Sequence, residues 1–409
     1  MKCRHCNTPL TLPFLDLGSA PPSNSYLTEE KLNAPEVHFP LRLLVCENCW
    51  LVQTDDYTGR ELLFDEDYAY FSSCSTSWLT HAKCYVKTMI ERFVLNHKSQ
   101  VVEIAANDGY LLQFFQQAGI PHYGIEPTAS TAQAARNKGI EIVESFFGID
   151  LANDLAQSGK QADLIAANNV LAHVPDINGF VMGFSKLLKS NGVATFEFPH
   201  LLNMIRENQF DTAYHEHYSY LSLTAVEQIF HKNGLSIFDV EQIPTHGGSL
   251  RIYAQLTATG NHPVSPAVEE LLKKELSVGI KDHDFYTGFQ DKAEKVKNEL
   301  LTFLIEAKRN NKTVGAYGAA AKGNTLLNYA GIKQDLLPFV CDAAGSKQGK
   351  YMPGSHIPIF SPSYLEAQKP DFILILPWNL RHELIKQLDY VKSWNGKFVL
   401  AVPGLEIIA

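Results

Sequence analysis

Val101-Val102-Glu103-Ile104-Ala105-Ala106-Asn107-Asp108-Gly109-Tyr110-Leu111-Leu112 is the stretch that decides the fold of this chain. A β-branched apolar run enters it, a turn of small residues interrupts it, and apolar residues at helical spacing leave it. That order predicts a strand, a tight loop and a helix start, where a doubly wound sheet turns backbone N–H groups toward a ligand. About twenty residues on, at the offset of a ribose-binding acid, His122-Tyr123-Gly124-Ile125-Glu126 reads as a second strand closed by a carboxylate. Residues 129–138 read as a helix and residues 141–144 as a third strand. Asp163-Leu164-Ile165-Ala166-Ala167-Asn168-Asn169 then reads as a fourth strand, ending in polar residues beside the same crevice.

A dinucleotide loop carries glycine where this chain has Ala105 and Asn107, so a pyrophosphate has little room. An adenosine bearing an amino-acid tail instead of phosphates fits better, which points to S-adenosylmethionine (SAM). Glu103, Ala105, Asn107, Asp108, Glu126, Asn168 and Asn169 are its candidate contacts, with Phe146 or Phe147 placed to pack on adenine. Taken alone, a small-residue turn after a first strand is common to many α/β folds. Three strand ends with suitable polar groups in order carry the reading.

At 409 residues the chain is too long for one ordinary core, and two or three domains are expected. Apolar content of 45% with 19% charged residues is that of a soluble globular enzyme. A net charge of −9 with no basic block argues against broad nucleic-acid binding. No signal-like N-terminus and no apolar run of spanning length appear, so a cytoplasmic location without membrane attachment is expected. Four of the seven cysteines form Cys3-Arg4-His5-Cys6 and Cys46-Glu47-Asn48-Cys49, two CxxC knuckles 39 residues apart. Each aims two thiolates at one ion, and together they complete a tetrahedral Zn²⁺ shell that would supply the stability a small lobe lacks. With four cysteines closing the shell, His5 reads as a surface residue.

The densest polar run is Tyr214-His215-Glu216-His217-Tyr218-Ser219-Tyr220. In an extended strand Tyr214, Glu216 and Tyr218 would share one face, with His215 and His217 on the other. A metal site, a hydrogen-bonded structural knot and a general base oriented by its neighbours all stand open here. His173, after the fourth strand, reads equally as a satisfied structural residue or as a catalyst. Toward the C-terminus, Gly318-Ala319-Ala320-Ala321-Lys322-Gly323-Asn324-Thr325 follows a strand-like run and opens a helix, a plausible phosphate cradle. Lys347 and Lys350 add cations on a nearby loop, and further strands end at Asp342 and before Trp378 and Asn379. This unit reads as the receptor of a phosphorylated or nucleotide-bearing substrate.

These motifs together resemble one family, the SAM-dependent sugar C-methyltransferases acting on nucleotide-linked 4-keto-deoxyhexoses. The resemblance rests on the four cysteines, residues 103–112, Tyr214-His215-Glu216-His217, His246-Gly247-Gly248-Ser249-Leu250-Arg251 and residues 318–325, and it runs nearly the full chain. It implies an α/β protein with a zinc-binding lobe (1–76), a Rossmann-like SAM domain (77–245) and a smaller α/β domain (246–409) clasping the nucleotide sugar. It implies structural zinc, SAM and C-3 methylation of a dTDP-linked keto sugar, with Tyr214, Glu216 and His217 in the site and His173 and Tyr68 beside them. Ser249, Arg251, Lys322, Asn324, Thr325, Asp342, Lys347, Lys350, Trp378 and Asn379 are the expected substrate contacts. A monomer or weak homodimer is expected. O-methylation of a hydroxyl sugar, or SAM binding without turnover, are the other classes.

Overall fold

The computed structural model describes residues 1–55 and 71–408; Tyr68 and Tyr70 lie outside them. The N-terminal lobe forms β1 (Leu12–Ala20), β2 (Phe39–Val45) and β3 (Val52–Thr54). Leu41, Leu43 and Val45 alternate inward along β2, as a half-buried strand requires.

The helix Thr76–Phe93 begins where the Ser75 side chain accepts the Trp78 N–H, and it buries Ala82, Tyr85, Val86 and Met89 at helical spacing. It leads into β4 (Val101–Ile104), β5 (His122–Ile125), β6 (Ile142–Val143), β7 (Ala162–Asn168) and β8 (Leu188–Pro199). β9 (Ser219–Tyr220), β10 (Leu235–Ile243) and β11 (Ser249–Leu256) follow. The central sheet has the order β10-β11-β8-β7-β4-β5-β6, parallel from β8 to β6 and antiparallel at β10 and β11. Because β4 lies between β5 and β7, the order reverses beside it, and the ligand crevice opens at the carboxyl ends of β4 and β7.

β9 joins β3 in the lobe's sheet, so the chain just after the Tyr-His-Glu-His run is stitched to the zinc lobe. β11 pairs with β8 and β10, so the central sheet takes in residues that a boundary at 245/246 assigns to the C-terminal unit.

The C-terminal unit is built on β12 (Val314–Tyr317), β13 (Val340–Cys341), β14 (Ile359–Phe360), β15 (Phe372–Ile375), β16 (Lys397–Leu400) and β17 (Glu406–Ile408). Their order is β14-β13-β12-β15-β16-β17, with only β17 antiparallel. Here too the order reverses at the first strand, and residues 318–320 turn from β12 into the helix Ala321–Ala330. The helix Phe289–Arg309 lays Phe289, Ala293, Val296, Leu300, Leu304 and Ala307 into one core with Phe14 and Leu15 of β1 and Val314 and Ala316 of β12. The zinc lobe and the C-terminal unit therefore share a hydrophobic core.

Candidate active site

Between β4 and the helix Leu112–Gln117, the backbone takes the left-handed region at Ala105 (φ 57°), Asn107 (φ 49°) and Gly109 (φ 75°). Asparagine tolerates that region and alanine does so at a cost. A Cβ on Gly109 would lie 2.4 Å from Ile140 Cδ1, so close packing demands glycine there. Glu126 ends β5 and fastens this loop: its Oε2 accepts the Asn107 N–H at 2.8 Å and its Oε1 the Thr128 N–H at 3.0 Å. Burial pushes the Glu126 carboxyl above its usual range, against those two bonds.

Ala105, Asn107, Glu126, Phe146, Asn168 and Asn169 all border one cavity of about 420 Å³. Both side-chain polar atoms of Asn168, and Oδ1 of Asn169, are buried without a hydrogen-bond partner among the described residues. Such unsatisfied carboxamides fit a polar ligand that completes them. Glu103 stands off the cavity wall; its carboxyl is fully buried, and burial raises it well above the ordinary range, opposed by the Tyr110 hydroxyl and the Leu112 N–H. Asp108 also stands off the wall, with Oδ2 3.3 Å from Lys138 Nζ.

Tyr214, Glu216, His217 and His173 border the same cavity. The run is not extended: the His217 N–H donates to the Tyr214 carbonyl at 2.9 Å, closing a turn. Alternation therefore fails, and Tyr214, Glu216 and His217 reach one cavity while His215 turns away to put Nε2 3.0 Å from the Phe39 carbonyl. The ring of His217 lies 4.0 Å from that of Tyr214 and 4.5 Å from that of His173, centre to centre. Burial lowers His217 well below the usual imidazole range, with the nearby His173, His246 and Lys322 disfavouring a further positive charge, and lowers His173 to about 4. Burial thus favours the neutral form of both rings.

His246, after β10, also borders the cavity; its Nε2 is buried without a partner among the described residues, and burial lowers it to about 4. Asn24 comes from the lobe and donates to both oxygens of Glu216 at 2.9 Å. No spacing rule links positions 192 residues apart, so Asn24 was invisible in the sequence.

From the C-terminal unit, Lys322, Lys347 and Asn379 border the cavity. Lys322 Nζ donates to Asn379 Oδ1 at 2.9 Å and sits 4.5 Å from the Trp378 ring centre. Burial pulls Lys322 down to about 8, opposed by Asp211, itself raised to about 7 by burial. The other expected substrate contacts stand elsewhere. Trp378 lies behind Lys322 and donates to Asp211 at 2.8 Å. Arg251 is committed to the buried Glu197 (2.7 Å) and to Glu241 (3.0 Å), and Ser249 Oγ to the Thr245 carbonyl. Asn324 and Thr325 are buried fasteners, donating to the Ser23 carbonyl (2.6 Å) and the Ala213 carbonyl (2.8 Å). Asp342 caps backbone N–H groups of Ala319 and Ala344, and Lys350 is off the wall. Backbone groups hold the side chains of Ser249, Asn324, Thr325 and Asp342, and carboxylates hold those of Arg251 and Trp378.

The four knuckle cysteines bring their sulfurs within 4.8 Å of one another, with Cys3–Cys49 at 3.5 Å and Cys6–Cys46 at 3.4 Å. Four thiolates about 2.3 Å from one tetrahedral Zn²⁺ need sulfurs at about 3.8 Å, so the donor set and spacing fit structural zinc. Gln53 adds an N–H to Cys3 Sγ at 3.3 Å. His5 is not on the surface: it is buried, with Nδ1 2.8 Å from Asn178 Oδ1.

Comparison with known proteins bears on this arrangement. Residues 3–64 match the family described as "Putative zinc binding domain", residues 78–240 "Methyltransferase domain" and residues 244–403 "C-methyltransferase C-terminal domain". The C-methyltransferase NovU of Streptomyces niveus is 34% identical over 408 residues, all of this chain and 97% of that one. The chain belongs to the C-methyltransferase family. It is a SAM-dependent C-methyltransferase with a structural zinc lobe. A ubiquinone biosynthesis O-methyltransferase of Bartonella quintana is 28% identical over 98 residues, 23% of this chain and 38% of that one. Among solved structures, a SAM-dependent methyltransferase of Clostridium acetobutylicum aligns at 10% identity over 44% of this C-methyltransferase and 92% of that chain, TM-score 0.35. Magnesium protoporphyrin IX methyltransferase of Synechocystis with bound SAM aligns at 15% identity over 49% and 99%, TM-score 0.35. Among the described residues, no helix of the C-methyltransferase is long and apolar enough to cross a membrane.

Proposed function

We propose that this C-methyltransferase methylates C-3 of a nucleotide-linked 4-keto-6-deoxyhexose or 2,6-dideoxyhexose, carried on dTDP, by way of an enolate. What supports this most is the turn that brings His217, Tyr214 and Glu216 to one cavity with His173, on a wall shared with Glu126 and Lys322. A 4-ketone acidifies the hydrogen on C-3, so a neutral imidazole can remove it. His217 takes that proton, the C–H electron pair passes into the enolate, and the oxygen at C-4 gains charge. Tyr214 and Glu216 hold the sugar and orient His217, and the low-dielectric cavity strengthens every polar contact to the oxyanion. SAM, when bound, supplies an electrophilic methyl group; C-3 of the enolate forms the new C–C bond as the carbon–sulfur bond breaks. Lys322, with Lys347, receives the substrate's phosphates. Zinc is assigned no step.

The test is exchange of the C-3 hydrogen with D₂O, followed by NMR, with S-adenosylhomocysteine in place of SAM. Wild-type protein should exchange, and His217→Asn should lose exchange and methylation together by roughly 10²–10⁴-fold. A variant that stops methylating yet exchanges at the wild-type rate assigns the base elsewhere. Product methylated on oxygen, with no exchange, replaces this reading by O-methylation.

A further inference from the structure

Asn24 sits in the lobe, 192 residues from Glu216, whose side chain its amide group meets. The Nδ2 group donates to both oxygens of Glu216 at 2.9 Å, and among the described residues the Glu216 carboxyl has no other donor. Glu216 is 2% exposed. We propose that Asn24 is a positioning residue for Glu216, and that the zinc lobe thereby belongs to the catalytic apparatus. The inference rests on the assignment of Glu216 to the site made above.

Asn24 is held on both sides. Pro21-Pro22 restrict the backbone entering the loop. The Ser23 carbonyl accepts the buried Asn324 amide at 2.6 Å, and the Tyr26 hydroxyl donates to the Ala319 carbonyl at 2.5 Å. Leu27 and Tyr351 exchange backbone hydrogen bonds in both directions, at 3.0 and 2.8 Å. The loop is thus bolted to the turn that opens the helix Ala321–Ala330, and the amide is presented with little freedom. A group held this way is organised before substrate arrives.

Burial pushes the Glu216 carboxyl up to about 7, and the Asn24 amide opposes that shift. An N–H group bonded to both oxygens favours the ionised carboxylate, whereas the protonated acid needs an acceptor for its own hydrogen. The other titratable groups around it come from four parts of the chain. Tyr214, His215 and His217 lie on its own run, and His173 meets the Glu216 backbone carbonyl. Tyr26 faces it from the lobe, with Lys347 and Asp342 beyond from the C-terminal unit, and Lys322 faces the neighbouring His217. Among the described residues none of these gives the carboxyl a cationic partner, and the carboxamide of Asn24 carries the opposing effect.

Two variants test this against wild type and Glu216→Gln, all with a dTDP-linked 4-keto-deoxyhexose as substrate. Asn24→Ala removes the donor. Asn24→Asp keeps the shape and places a second carboxyl against the first, so the two must share a proton. In both, the limb of the kcat–pH profile that Glu216→Gln abolishes should move upward by about one pH unit, while SAM affinity by calorimetry stays at the wild-type value. Asn24→Asp supplies the reading if Asn24→Ala does not fold. A limb unmoved in Asn24→Asp, with Glu216→Gln still abolishing it, overturns the role of Asn24 and leaves Glu216 in the site. A Glu216→Gln profile identical to wild type overturns both and removes Glu216 from the reaction.

Discussion

At Ala105 the backbone adopts φ 57°, a conformation that costs an alanine about 1–2 kcal/mol and a glycine almost nothing. Ala105→Gly should raise stability by about 0.5–1 kcal/mol, once the extra freedom of glycine in the unfolded chain is subtracted. Denaturant melts read this directly, and a destabilised variant refutes it. Glu126→Ala should weaken SAM binding by about 1.5–3 kcal/mol, since a charged acceptor is lost. Because Glu126 also holds the Asn107 and Thr128 N–H groups, the loop should loosen too; unchanged affinity in calorimetry removes Glu126 from the site. The buried carboxyl of Glu216 makes a pH prediction of definite sign. Its folded pKa, about 7, lies above its unfolded value near 4.5, so the folded state holds the extra proton between them. Stability from this group is present below about pH 4.5 and is lost as pH rises through 7. Glu216→Gln should therefore gain on wild type with rising pH, by at most about 3 kcal/mol between pH 4.5 and pH 8. His173 and His246 work the other way, since their contribution is present above pH 6.5 and lost as pH falls toward 4. Equal melts of wild type and variant at both ends would show that Glu216 ionises normally.

The first knuckle braces a segment of the active-site wall as well as supplying half of the metal site. The Arg4 guanidinium donates to the Thr54 carbonyl at 3.1 Å and to the Pro175 carbonyl at 3.2 Å. Asn178 donates to the Arg4 and His5 carbonyls at 3.2 and 2.9 Å. Pro175 and Asn178 come within five residues after His173, so the metal's cross-link steadies the segment that carries that imidazole. Purified protein should contain about one Zn²⁺ per chain, and Cys46→Ser should lose it together with thermal stability. Hydrogen exchange of amides 176–178 should rise in the same variant; protection unchanged after metal loss would separate the knuckle from this wall. Each CxxC was legible as a metal element because spacing alone decides it. The docking of His5 and Arg4 was not, because it depends on a helix 170 residues away in sequence, Ile177–Leu187, arriving at the knuckle.

Across the whole molecule, the cavity takes walls from the lobe, the central sheet and the C-terminal unit, and buried polar bonds hold these parts in register. Thr325→Val should cost about 1–3 kcal/mol, because it leaves the buried Ala213 carbonyl without its donor. SAM affinity should stay unchanged, since Thr325 is not on the cavity wall. A variant as stable as wild type that binds substrate poorly would return Thr325 to the list of substrate contacts. The shared core of Phe14, Phe289 and Val314 makes the lobe and the C-terminal unit fold against each other. Unfolding should then show the lobe and that unit melting together, checked by comparing fluorescence and metal release on one temperature scan.

Local chemistry sufficed for whatever is set by nearest neighbours along the chain. The strand-turn-helix at Val101–Ile104 and beyond, the Glu126 strand end, the two CxxC pairs and the crowded Tyr214–His217 run were all legible from periodicity, turn residues and ligand spacing. Tertiary structure decided which side chains remain free once folding is complete. Arg251 looked available and is taken by Glu197; Asn324 and Thr325 looked like ligand contacts and are taken by backbone carbonyls of other elements. A turn at residues 214–217, closed by one hydrogen bond, replaced the two-faced strand and put His217 on the wall with Glu216. Asn24 meets Glu216 only because β9 and the shared core draw the lobe onto the catalytic run. Burial and partnering are properties of the assembled chain, since a polar side chain bonds whatever reaches it first in three dimensions.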